Sequence, residues 1–325
     1  MGWTSSISGP TPARAAGYEK LVKEECSIIV PEHEFKMYSI RREPNIYDFT
    51  AGDAVVAFAR ESGLGLRGHT LLWNRADKTA QWMKNYDFGS NPRAKAEVFL
   101  RDYVQRVCIH FGEIQSWDVV NEWIDPLTGG LGDTPFSRIL DFDALRIVFE
   151  AAREYAPRAQ LVYNDYMSFE PSVRLHRNAV LKLLHDLRAN NVPVDALGIQ
   201  SHIHAAQRMA DTDRREWISF LDEVVGMGYK MLITEFDVND LGAGNDIQTR
   251  DQAVAAAGQD YLDVMLSYKQ LDQFLCWGLV DKHSWLQCTV ADPGPPFRPT
   301  PYDDDYQPKP LREAIAAAIN AAPMR

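Results

Sequence analysis

The chain is poor in cysteine and has no pairing pattern for the cysteines it has. Cys26, Cys108, Cys276 and Cys288 never stand in a C-x-x-C arrangement, which argues against a zinc site. Cys26, Cys108 and Cys276 lie in or beside apolar runs, as buried thiols do. Cys276 and Cys288 could close a short loop in an oxidising compartment, a point the sequence leaves open. Basic residues are also scarce: 34 Lys and Arg stand against 45 Asp and Glu, a net charge of -11. Neutralising phosphates needs basic patches, so nucleic acid is not an expected partner, and neutral substrates fit better than polyanions. No run is long and apolar enough to span a membrane. No glycine-rich phosphate loop follows any strand pattern, since Gly63-Leu64-Gly65 precedes one. No H-E-x-x-H or similar spacing marks a metal, and neither a metal nor a cofactor is expected. No signal peptide is visible, because Met1-Gly2-Trp3 leads directly into a strand pattern; either the protein is cytoplasmic or a signal was removed.

What is present describes one large soluble domain. Of 325 residues, 46% are hydrophobic and 24% charged, which suffices for a sizeable core. A single barrel-sized domain over 1–325 fits, two smaller domains being the alternative. Eight tryptophans and thirteen tyrosines are many for one domain. Such rings fill cores, and their flat faces also pack on the C–H faces of sugars.

Apolar, β-branched runs alternate with helical spacing along the chain. Strands are expected over 3–8, 26–30, 65–73, 116–120, 160–163, 194–199, 231–234 and 274–279. Helices are expected over 12–24, 51–62, 91–111, 143–155, 172–190, 213–227, 249–268 and 308–322. Eight strand–helix units imply an α/β fold with a parallel sheet, closed into a single (β/α)8 TIM barrel rather than a doubly wound sheet. The longest irregular stretch, 282–310, reads as an elaborated rim over the site.

Two strands end alike. Ser116-Trp117-Asp118-Val119-Val120 runs into Asn121-Glu122, and Met231-Leu232-Ile233-Thr234 runs into Glu235. Catalytic groups of a parallel barrel come from the C-terminal ends of several strands, and paired carboxylates are what glycoside hydrolysis requires. Either glutamate alone reads as a solvated strand end or an ion-pair partner. Together, each beside a second polar group, they read as a catalytic pair. Other strand-end polar residues are Glu32 and Lys36, His69 and Asn74, Asn164 and Asp165, Gln200 and His202, Asp237 beside Glu235, and Trp277 and Lys282. Converging on one face, these would line a cleft for a hydroxyl-rich ligand. Glu122, beside Trp123 and after an apolar strand, suits the proton donor; Glu235 has to stay ionised, and His202 could orient it. His202 shares a face with Gln200 by strand alternation. His69 reads equally well as a packed barrel histidine. A metal held by His69, His202, Glu122 and Glu235 is the chemical alternative, without ligand spacing to support it.

At these residues the chain resembles glycoside hydrolase family 10, the retaining endo-β-1,4-xylanases, over essentially its whole length. The motifs are Gly68-His69-Thr70-Leu71-Leu72-Trp73, Trp117-Asp118-Val119-Val120-Asn121-Glu122, Tyr163-Asn164-Asp165-Tyr166, Gly198-Ile199-Gln200-Ser201-His202, Ile233-Thr234-Glu235-Phe236-Asp237, and Trp277-Gly278 through Asp281-Lys282-His283-Ser284-Trp285-Leu286. The resemblance implies that Glu122 is the acid/base and Glu235 the nucleophile. It implies that Asn121 holds the 2-hydroxyl of the sugar whose bond breaks, that His202 bonds the nucleophile and that Gln200 lines the same subsite. Trp277 and Trp285 would wall the non-reducing side, where Glu32 and Lys36 bind sugar, and Tyr166 would lie toward the leaving group. His33, His69, Trp73 and Asn74 complete the expected substrate-binding set. The implied partner is a polysaccharide or oligosaccharide. A monomer acting in the periplasm or outside the cell fits the family, the cytoplasm being the other open location.

Three positions depart from the family pattern. Asn74 stands where a sugar-binding His is usual, His33 where an Asn is usual, and Trp123 where a small residue follows the acid/base. Asn is shorter and cannot carry charge. The same mechanism on another β-linked glycan is therefore the second reading, and a non-catalytic carbohydrate-binding barrel is the reading from another class. Retention of both glutamates speaks against the latter.

Overall fold

A computed structural model describes residues 3–7, 16–289 and 295–323. Its centre is a parallel sheet of β1 (Trp3–Ile7), β2 (Cys26–Pro31), β3 (Gly65–Trp73), β4 (Ser116–Asn121), β5 (Gln160–Asp165), β6 (Ala196–Ile199), β7 (His202–His204), β8 (Lys230–Asn239) and β9 (Leu271–Cys276). Neighbours pair in sequence order from β1 to β6; β6 then pairs with β8, β8 with β9, and β9 with β1. Eight strands thus close a barrel. β7 is a three-residue continuation that pairs only with the outer end of β8, His202 opposite Asp237.

The crossover helices are α1 (Ala16–Glu25), α2 (Thr50–Ser62), α3 (Pro92–His110), α4 (Asp143–Tyr155), α5 (Arg174–Ala189), α6 (Asp211–Gly226) and α7 (Ile247–Met265), and α8 (Pro310–Ala321) follows the last strand. Each turns one apolar stripe inward. In α4 the stripe is Ala144, Leu145, Ile147, Val148, Phe149, Ala151 and Ala152, the spacing of a 3.6-residue period. Burying each larger aliphatic or aromatic member stabilises the fold by about 1.5–3 kcal/mol. α2 stops at Gly63, whose φ of 68° fits the left-handed stop that glycine tolerates.

The main core lies between barrel and helices, because alternate strand residues face outward. Tyr163 and Leu161 belong to it, while Val162 joins Ala196 and Leu232 in a separate small cluster on the opposite face. The inner face of the barrel also holds charge. Buried Arg67 pairs with Asp118 and donates to Ser116 Oγ at 2.6 Å. Asp118 in turn takes His69 Nδ1 at 2.9 Å.

Several expectations shift by a few residues. The last strand runs Leu271–Cys276 rather than 274–279, since Gly278 turns the chain with φ 90°. The expected strand over 3–8 is described as Trp3–Ile7 and the expected helix over 12–24 as Ala16–Glu25, and residues 8–15 lie outside the described residues. All four cysteines are free thiols, with Cys276 buried and Cys288 exposed, so no bridge closes the loop between them. The rim over 282–310, of which 290–294 are outside the description, is anchored from below. Buried Asp281 accepts from Thr300 Oγ1 at 2.8 Å and Lys309 Nζ at 3.1 Å. Burial lifts its carboxyl to about 6 against the pull of Lys309 and Thr300.

Candidate active site

The β4, β5 and β6 ends are in register at the barrel rim: Trp73 lies opposite Asn121, Asn121 opposite Asn164, and Asn164 opposite Gly198. Side chains of paired residues share a face, so three amides and two acids meet there. Asn164 Nδ2 donates to Asn121 Oδ1 at 2.9 Å and to Glu235 Oε1 at 2.8 Å. Its own Oδ1 accepts from Thr234 Oγ1 at 2.7 Å. Gln200 Nε2 reaches Asn121 Oδ1 at 3.3 Å and Glu122 Oε1 at 3.0 Å. One amide network therefore joins the two glutamates. Gly198 makes room for it, since a Cβ there would sit 2.4 Å from Asn164 Oδ1.

Glu122 is 8% exposed and Glu235 6%. Glu122 directly follows β4 and adopts a left-handed backbone, φ 54°, a conformation that costs about 1–3 kcal/mol in a non-glycine residue. The bonds around it hold that shape. Glu122 N donates to Asn164 O at 2.9 Å, and Trp123 N donates to Tyr163 OH at 3.3 Å. Trp123 is wholly buried, so the bulky residue after Glu122 packs into the core.

Glu235 meets a cation. His202 directs Nε2 to Glu235 Oε2 at 3.3 Å and Nδ1 to Asp237 Oδ1 at 2.9 Å. Asp237 also accepts from Trp285 Nε1 at 2.7 Å. A ring facing a carboxylate at each nitrogen is stabilised as imidazolium. Burial alone would lower His202, but Asp237 and Glu235 outweigh it and raise it to about 10. Burial likewise favours a neutral Glu235, yet the His202 bond and the charges of His69, His202 and Lys36 bring it down to about 2.

Lys36 lies buried with Nζ 4.2 Å from the Trp73 ring centroid. Burial lowers it to about 8, opposed by Glu235, Glu32 and Glu122. Glu32 is buried at the end of β2. His33 is exposed and its Nδ1 meets Tyr38 OH at 2.9 Å. His69 is 2% exposed and stands edge-on to Trp277 at 5.4 Å between centroids. Trp285 stands edge-on to His202 at 5.1 Å. Tyr166 packs at 4.6 Å from His176 and shares a cavity of about 350 Å³ with Glu122, Arg75, Asp77 and Asp125.

Asn74 is placed differently from the other polar strand-end residues. It is 1% exposed. Nδ2 donates to Trp123 O and to Gly132 O, both at 3.2 Å, and Oδ1 accepts from Thr134 Oγ1 at 2.5 Å. Both amide hydrogens are committed to the loop after β4. Asn164 and Asp237 were expected only as strand-end polar residues with no individual role, and Arg75, whose Nη1 lies 3.4 Å from Glu122 Oε2, was not expected at all. Asn164 and Asp237 stand at strand ends, and that position was the signal available. Arg75 lies two residues past β3 in an exposed turn, where a cation carries no signal of its own.

The model of glycosyl hydrolase family 10 matches residues 4–318. The chain is 28% identical to the β-1,4-xylanase of Dictyoglomus thermophilum, over 90% of this chain and 82% of that one. It is 30% identical to endo-1,4-β-xylanase A of Thermotoga neapolitana over 83% of its length, but spans only 25% of that longer protein. Among solved structures, xylanase 10B from Thermotoga maritima superposes with a TM-score of 0.87 at 26% identity, over 98% of this chain and 94% of that one. Xylanase 10B from Thermotoga petrophila RKU-1, in complex with xylobiose, also reaches 0.87, at 25% identity over 98% and 93%. With a barrel of the same form and a family match running almost end to end, the chain belongs to glycosyl hydrolase family 10.

Proposed function

We propose that the protein cleaves β-1,4-linked xylan or xylo-oligosaccharides with retention, Glu235 acting as nucleophile and Glu122 as acid/base. The observation that carries the division of roles is the placement of His202 between Glu235 and Asp237, which favours an ionised Glu235. Glu122 shares the same amide network but, among the described residues, has no imidazole partner. In the first half-reaction a Glu235 oxygen bonds to the anomeric carbon. The glycosidic C–O bond breaks, and the Glu122 proton passes to the departing oxygen. In the second, water yields a proton to Glu122 while its oxygen displaces Glu235, restoring the original configuration.

The substrate class rests on the relatives, several of which are named xylanases. The aromatic and cationic wall of Trp73, Lys36, Trp277 and Trp285 supports a sugar-binding cleft. The burial of Asn74 weakens the case for another glycan, because its departure from the family pattern is absorbed by the loop. His33, at a second departure, remains exposed, and Trp123, at the third, is buried. A polymer that cannot cross a membrane favours action outside the cytoplasm; among the described residues no helix is long and apolar enough to span one.

The test is a panel of β-linked polysaccharides and aryl glycosides scored for new reducing ends, beside the Glu235→Ala variant. Release from xylan that vanishes in the variant is the expected result. Glu235-dependent cleavage of another glycan with none from xylan would move the substrate, and turnover that survives the variant would overturn the mechanism.

A further inference from the structure

Glu122 receives three donors, and one is a cation. Asn121 Nδ2 at 3.3 Å and Gln200 Nε2 at 3.0 Å reach Oε1, while Oε2 meets Arg75 Nη1 at 3.4 Å. Arg75 is aimed by its own neighbour: Nε and Nη2 clasp the two oxygens of Asp77 at 3.0 and 3.1 Å. A planar guanidinium held along one edge presents its other edge in a fixed direction. The Arg75 side chain is 46% exposed and that of Glu122 9%, so the contact sits at the wet margin of the cavity they share with Tyr166 and Asp125.

Taking Glu122 as the acid/base of the preceding section, we propose that Arg75 is a positioning residue that stabilises the carboxylate Glu122 becomes when its proton passes to the leaving oxygen. Arg75 itself neither gains nor loses a proton. In the first half-reaction it makes proton transfer to a poor leaving group easier, because the charge it attracts is being formed. In the second half-reaction that charge is removed as Glu122 takes the proton of water, so the same contact opposes the step. Lys36 is a further cation coupled to Glu122, and His176, raised by Asp165 against its burial, is coupled to it as well; Asp125 and Asp133 share its cavity, and Glu235 is joined to it through Asn121 and Asn164. Among the described residues, only Arg75 lies within ion-pair distance of it.

The proposal is tested with Arg75→Gln, Arg75→Lys and Glu122→Ala, each assayed as the pH profile of kcat/KM on aryl β-xylobiosides of graded leaving-group acidity. A half-exposed pair of this kind is worth a few-fold at most. Arg75→Gln is expected to slow the least activated glycoside about threefold and to raise the alkaline limb by about half a pH unit. Arg75→Lys, which keeps the charge, restores at least half of that shift. In 1 M NaCl the wild-type limb moves toward that of Arg75→Gln, since screening removes an exposed pair. An unmoved limb in Arg75→Gln, or a Lys variant that behaves like the Gln one, overturns the proposal. Glu122→Ala separates the two readings. If it loses unactivated substrates while Arg75→Gln is silent, only the role of Arg75 falls. If it handles unactivated substrates normally, the acid/base assignment falls as well.

Discussion

β4 and β8 are written alike, an apolar run leading to a glutamate at the barrel rim, Glu122 just after β4 and Glu235 where β8 begins its outward extension, yet the two differ in surroundings. At the β8 end, Glu235 faces an imidazolium that is itself backed by Asp237 and, behind that, Trp285. At the β4 end, Glu122 has two amides and a half-exposed guanidinium, and it opens on a cavity. The strands do not decide this difference. β7 brings His202 to one acid, and the turn after β3 brings Arg75 to the other. Residues remote in sequence thus assign different tasks to two copies of one local pattern, and each task can be removed separately.

The largest effect is expected from deleting the carboxyls themselves. Glu235→Ala should lose about 10⁴-fold or more in kcat on every substrate. Added azide should restore turnover of an aryl glycoside, giving the inverted glycosyl azide because the anion enters from the face Glu235 vacated. Glu122→Ala should lose about 10²–10⁴-fold in kcat/KM on poor leaving groups and little in kcat/KM on activated ones, whose kcat still falls because the second half-reaction has lost its base, and azide should give the retained product. Chromatography and NMR of the azide products read this directly; the same anomer from both variants would abolish the distinction between the two ends.

Asn164→Ala attacks the link between them. Asn164 touches Asn121, Glu235 and Thr234, so its loss should loosen both acids. Misplacement on the scale of an ångström is worth about 10²-fold in kcat, and the stranded buried partners should cost about 1–3 kcal/mol in urea unfolding. A fall in stability with unchanged kcat would mean that each acid is held by its own strand alone.

Next in size is the pH dependence of the β8 end. Glu235 is lowered from 4.5 to about 2, so its contribution to stability is complete above pH 4.5 and is lost as pH falls through 2. His202 is raised from 6.5 to about 10, so its contribution is complete below pH 6.5 and is lost as pH rises through 10. The stabilisation from the pair is therefore greatest between these unfolded values and declines on both sides. Denaturation midpoints of the wild type relative to His202→Asn should show that shape. A difference that does not vary between pH 5 and 9 would mean that the imidazolium is not what separates Glu235 from Glu122.

The expected barrel, its eight helices and the two glutamates were legible because each rests on a local pattern: period 3.6 in α4, alternation around Val162, an acid after an apolar run. Partners were harder to read. Nothing local in Asn164 announces that it bridges two acids, since that depends on Gly198 leaving space across the sheet. Arg75 was missed for a similar reason, being an exposed turn residue whose direction is set by Asp77. The split of the sixth strand at Ser201, which has φ 65°, is a tertiary effect: β7 forms by pairing with the outward extension of β8.

Asn74 shows the limit of reading a role from a position, and it carries the smallest expected effect on activity. Its backbone N donates to Asn121 O at 3.0 Å, and its amide joins Trp123, Gly132 and Thr134. It fastens the loop that follows Glu122. Asn74→Ala leaves two carbonyls and a hydroxyl with one partner fewer. It should cost about 1–3 kcal/mol in stability while KM for xylo-oligosaccharides changes less than about twofold. A sugar contact would give the reverse: KM would rise several-fold while the melting temperature stayed put. Measuring both on one variant decides whether the departure from the family residue here concerns substrate or only the brace beneath Glu122.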